Sequence, residues 1–197
     1  MLLLIAAFGS CTDRKQLPPL TAIGYNDSEG FNRADSIVSA VGDARDNNER
    51  VLAVVDSLEK AGQLSQPKSI FYRTITYNLM GQYRTSLRHY SQLSSIDMDS
   101  IVTEADLKAY IYSYNNYIRL LCEMKRYDRA LCEANTADHK LKAAGYDAFA
   151  DHHDIAQTIG ECQLFLGQAN LAATSFQKSL QGVHNRLATH HDPLDYR

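Results

Sequence analysis

Apolar residues recur at helical spacing along most of this chain. Ala34, Ile37, Val38 and Val41 form one such set, and Val51, Val54, Val55 and Leu58 form a second. Intervals of three and four residues place each set on one face of a helix. Residues 110–122 and 155–165 are equally amphipathic. Three short blocks then align with one another, at residues 80–87, 124–131 and 166–173, and their matching positions Gly81, Lys125 and Gly167 lie 44 and 42 residues apart. Each block opens a second apolar series at offsets of three, seven and ten. These series are Tyr83, Ser86, Tyr90, Leu93; Tyr127, Ala130, Ala134, Ala137; and Ala169, Ala172, Phe176, Ser179. Those offsets fall on a single helical face, where small residues let two helices approach and larger ones fill the space between. The predicted unit is helix, tight turn, helix. Thr103 with Asp106 has the spacing of a helix-starting cap, and Gly145 is placed to stop a helix.

Composition narrows the picture. With 197 residues the chain has material for one compact domain or one short helical array. A content of 45% hydrophobic and 22% charged residues excludes both disorder and a polytopic membrane protein. The net charge of −3 comes from 20 basic and 23 acidic residues of interspersed sign. Such a chain offers no field for a phosphate backbone, so no nucleic-acid partner is expected.

The first residues read differently. Met1 to Phe8 is apolar but far short of the roughly 20 residues that span a bilayer as a helix. This stretch leads through Gly9 and Ser10 to Cys11, and it resembles the lipobox of bacterial lipoproteins. That resemblance implies cleavage before Cys11, lipid on its thiol, and an extracytoplasmic protein anchored to a bacterial membrane. No Lys or Arg precedes Arg14, which suggests a leader starting upstream of Met1. Residues 1–10 are thus expected to be a signal peptide, and residues 11–30, with Pro18-Pro19, a polar tether.

The repeated blocks resemble the tetratricopeptide repeat, with Ile159-Gly160, Gly167, Ala172, Phe176 and Ser179 the best match. The interval exceeds that family's period of about 34 residues, and no proline closes the repeats. The resemblance implies an all-α solenoid of helical hairpins (an α-α superhelix). A degenerate first hairpin is expected over residues 31–65 and three tetratricopeptide-like hairpins over 66–191. Residues 192–197 would begin a further segment, and the third hairpin, uncovered, would self-associate. The stretch from Val55 to Ser65, followed by Tyr-rich hairpins, resembles the N-terminal region of Bacteroidetes sensor histidine kinases. On the tetratricopeptide pattern, the ligand-facing positions of the first helices fall on Tyr112, Asn115, Arg119, Glu123, Gln157 and Glu161. This polar and aromatic mixture suits a protein or peptide partner, since Asn pairs with backbone, Arg with carboxylate, and Tyr supplies rigid apolar area.

Catalytic and metal chemistry find little support. Cys122, Cys132 and Cys162 have no paired short spacing, so they read as buried small side chains rather than zinc ligands. One disulfide among them is compatible with an oxidising compartment, with the pair left open. Residues 151–154 (Asp-His-His-Asp) and 190–192 (His-His-Asp) hold ligand-type residues, yet neighbours on a helix point about 100° apart and seldom share an ion. No phosphate loop, nucleophile elbow or kinase signature occurs, and Asp56-Ser57 and Ser94-Ser95 read as surface and capping residues. Two classes remain. One is a cofactor-free, non-catalytic interaction module, either a sensor-kinase input region or a free-standing lipoprotein, with a shallow groove. The other is an enzyme or metal protein with a deep pocket lined by perturbed ionisable groups.

Overall fold

The computed structural model describes Val38 and residues 47–101, 103–146 and 152–189. Expectations for Cys11, for the leader and tether, and for residues 190–197 lie outside the described residues. So do the side chains of Asp151, His152 and His153.

Seven α-helices account for nearly all of what is described. They are α1 (Asn48–Lys60), α2 (Gln66–Leu79), α3 (Tyr83–Tyr90), α4 (Glu104–Glu123), α5 (Tyr127–Ala143), α6 (His152–Phe165) and α7 (Ala169–Thr189). The described part of the chain is all-helical and repeat-like, with no strand among the described residues.

The repeat is plainest at the turns. After α2 the N–H of Gly81 donates to the Asn78 carbonyl at 3.0 Å and that of Gln82 to Tyr77 at 2.8 Å. The N–H groups of Lys125 and Arg126 donate in the same way to Cys122 and Leu121, and those of Gly167 and Gln168 to Leu164 and Gln163. This two-bond closure satisfies the last free carbonyls of a helix and needs a left-handed residue at its centre. Gly81 and Gly167 supply it at φ 68° and 74°, whereas Lys125 adopts φ 57° with a side chain attached. The matched positions found in the sequence are therefore the left-handed corners between paired helices.

Contacts define the order. α2 packs on α3, α4 on α5, and α6 on α7, while α2, α4 and α6 also meet one another in succession. Ser65, capping α2, donates its hydroxyl to Asp106 of α4, and Phe71 of α2 sets its ring 6.4 Å from Tyr112 of α4. Both pairs are 41 residues apart, so α2 and α4 run parallel in constant register. Between α4 and α6, Thr158 donates to Asn115 at 3.0 Å and the sulfurs of Cys122 and Cys162 lie 3.6 Å apart, again in parallel order. Within the last pair, Gly160 meets Phe176 and Gln163 meets Ser175, the reversed order of an antiparallel hairpin.

α4 is the centre of the molecule, with 13 of its 20 residues buried. Thr103 caps it as the spacing predicts, accepting from the Asp106 N–H at 3.1 Å. Tyr110, Tyr114, Ile118 and Leu121 of α4 join Ile70, Tyr90, Ala130, Ala134, Ala137 and Ile155 in the main core. A smaller core unites Val38 with Val51, Val55, Leu58 and Leu64, and Arg73 of α2 ties α1 down through Asp56 and Glu59 at 2.5 and 2.6 Å.

Two details differ from the periodic reading. The residue opening each second-helix series is not on the buried face. Tyr83 and Ala169 are exposed and Tyr127 is half-buried, stacked on Phe165 at 4.8 Å. Each begins its helix beside the corner, where a first-turn side chain points past the partner helix. The first series also does not stay on one α-helix. α3 ends at Tyr90 and continues as a 3₁₀ turn over Ser91–Ser95. Lys140 secures that turn by donating to the carbonyls of Ser94 and Ile96.

Candidate functional site

The parallel helices α2, α4 and α6 form a groove between them. Its first basin, about 350 Å³, is lined by Phe71 and Ile75 of α2, by Tyr112, Asn115, Asn116 and Arg119 of α4, and by Asp154, Gln157 and Thr158 of α6. A second basin of about 390 Å³ adjoins it, lined by Asn78 and Leu79 of α2, Tyr83 at the start of α3, and Leu120 and Glu123 of α4. Ile75, Asn116 and Arg119 line both, so the two basins adjoin on one surface.

Its chemistry is divided along its length. The Phe71 and Tyr112 rings make an aromatic wall, and Tyr112 keeps 38% of its surface exposed. The far end is apolar and open, with Leu79 at 74% and Tyr83 at 49% exposure. Arg119 is exposed at the junction, with Asp154 in one basin and Glu123 in the other. Asn115 is held differently, being buried with its carbonyl oxygen engaged by the Thr158 hydroxyl. The same hydroxyl also reaches the Asp154 carbonyl at 2.8 Å, so its single proton is shared between the two acceptors.

Tyr112, Asn115, Arg119, Glu123 and Gln157, all named from the sequence, are therefore neighbours on one surface. Glu161 is not among the lining residues and instead accepts from the Gln157 amide at 3.0 Å. Sequence reasoning missed the whole α2 wall of Phe71, Ile75 and Asn78, together with Asn116, Asp154 and Thr158. The signal was present, because the 41-residue shift that pairs Phe71 with Tyr112 also carries Ile75 to Asn116 and Asn78 to Arg119.

Several buried groups have displaced ionisation. Burial raises the phenols of Tyr90, Tyr110, Tyr114 and Tyr117, with Tyr114 pushed up to about 12. It also raises the Cys122 and Cys162 thiols and lowers His89, whose ring stacks on Tyr77 at 5.3 Å. None of these residues lines the groove. Among the described residues no three His, Cys, Asp or Glu side chains converge on a point that could hold a metal, and no helix is long and apolar enough to cross a membrane. No family model, curated protein or solved structure matches the chain.

Proposed function

We propose that this chain is a non-catalytic interaction module, a tetratricopeptide-like solenoid that binds an extended segment of a partner polypeptide between its first helices. The observation that carries the reading is the pair of adjoining basins on the surface of α2, α4 and α6. They are lined by aromatic and aliphatic side chains, by amides, and by one guanidinium with a carboxylate in each basin. An extended peptide requires these groups: amides for its free backbone groups, apolar walls for alternate side chains, and a cation for a carboxylate. An enzyme would call instead for a deep pocket with perturbed acid–base groups.

In this proposal the module works outside the cytoplasm, tethered by lipid on Cys11, as the input region of a sensor histidine kinase. Peptides selected from a random display library on the immobilised full chain provide the test. Arg119→Glu and Tyr112→Ala should each weaken a selected peptide by about tenfold, the scale of an interface anchor. Unchanged affinity in both variants would overturn the proposal.

A further inference from the structure

The three thiols of the helical region are not equivalent. Cys132 is exposed on α5, whereas Cys122 is half-buried and Cys162 fully buried, on α4 and α6 respectively. The Cys122 and Cys162 sulfurs stand 3.6 Å apart across the seam where these two parallel helices meet. A disulfide needs its sulfurs at about 2.05 Å, so closure asks for an approach of about 1.5 Å.

From this juxtaposition we infer that Cys122 and Cys162 are a redox pair, closing to a disulfide that fastens α4 to α6 when the protein meets a disulfide oxidant. The order of steps follows from access. Cys122, the more exposed sulfur, loses its proton and attacks one sulfur of an oxidant of the glutathione disulfide type, forming a mixed disulfide and releasing one thiol. The Cys162 sulfur, deprotonated in turn, attacks the Cys122 sulfur and releases the second thiol. Two cysteine thiols are oxidised by two electrons, one disulfide is reduced to two thiols, and the two protons leave with them. Burial holds both thiols protonated at neutral pH and makes the exchange slow in the absence of a catalyst.

The consequence reaches the groove. Asn115 and Thr158, joined by a hydrogen bond, belong to the same α4–α6 seam and line the first basin. A bridge closing a 40-residue separation on that seam restricts the unfolded chain and fixes the spacing of two groove walls. This inference stands on the thiol geometry alone and does not depend on what the groove binds.

The test uses the full chain carrying Cys11→Ser and Cys132→Ser, so that only the pair remains. After reduction and incubation with glutathione disulfide, intact mass should show the loss of two hydrogens and no retained glutathione, and the oxidised protein should melt above the reduced one. In the same background, Cys122→Ser should show neither change. A stable glutathione adduct, two free thiols after prolonged oxidation, or a cross-link without any rise in melting temperature would overturn the inference.

Discussion

A β-carbon built on Gly160 would stand 2.7 Å from the edge of the Phe176 ring, closer than such atoms approach in folded proteins. Gly160 lies in the middle of α6, where glycine costs helix stability, and its presence is explained by the α7 ring laid directly over its backbone. Gly160→Ala should therefore destabilise the protein by about 1–3 kcal/mol, despite alanine's better helix propensity. Chemical denaturation measures it. Adding Phe176→Leu should recover part of the loss, and a stabilising Gly160→Ala would refute this packing.

The corners give a paired prediction with opposite signs. Lys125 occupies the left-handed region at φ 57°, where a side chain is strained, so Lys125→Gly should stabilise by about 0.5–1 kcal/mol. Gly167 holds the matched corner at φ 74° with open space around it, so Gly167→Ala should destabilise by about 1 kcal/mol through backbone strain alone. Equal signs for the two would separate corners that the structure makes equivalent.

Small residues keep the second helices close to the first. Ala130 and Ala172 are buried, and leucine at either should lower stability by about 1–3 kcal/mol. Ala173 is exposed one residue further along α7, and Ala173→Leu should change the thermal midpoint little. Loss of stability only at Ala173 would mean that the register of α7 is wrong.

Alkaline titration probes the tyrosine core. Tyr114 has its folded pKa raised to about 12 from an ordinary 10.0, and burial raises Tyr90, Tyr110 and Tyr117 as well. A raised pKa means the folded state holds the proton more tightly, so this contribution is intact below about pH 10 and falls as pH rises from there towards 12. Near-ultraviolet phenolate absorbance should show a group of tyrosines that ionises only as the helical signal is lost. Full ionisation with the helices intact would contradict their burial.

Much of this fold could be read directly from spacing. The corners at Gly81, Lys125 and Gly167, the cap at Thr103 and the buried alanines of α5 are local signals, and each is found where its period puts it. What spacing could not supply was which faces lie side by side. The α2 wall escaped because Phe71, Ile75 and Asn78 become a site only when α4 runs parallel to α2 in fixed register, a relation between distant segments. The sequence allowed one disulfide among Cys122, Cys132 and Cys162 without choosing the pair, since 40 residues separate Cys122 from Cys162 and only the α4–α6 seam brings their sulfurs together. Series that crossed a helix start, such as Tyr83 and Ala169, were assigned to the buried face because periodicity does not register where a corner ends.

The central claim is that the surface shared by α2, α4 and α6 receives an extended polypeptide. Amide hydrogen exchange, run on the full chain with and without a saturating peptide selected from a display library, tests it most directly. New protection is expected in α2, α4 and α6, around Ile75, Asn116 and Arg119, with α5 and α7 unchanged. Protection confined to α5 and α7, or absent from the segment around Arg119 while the peptide is bound, would contradict it.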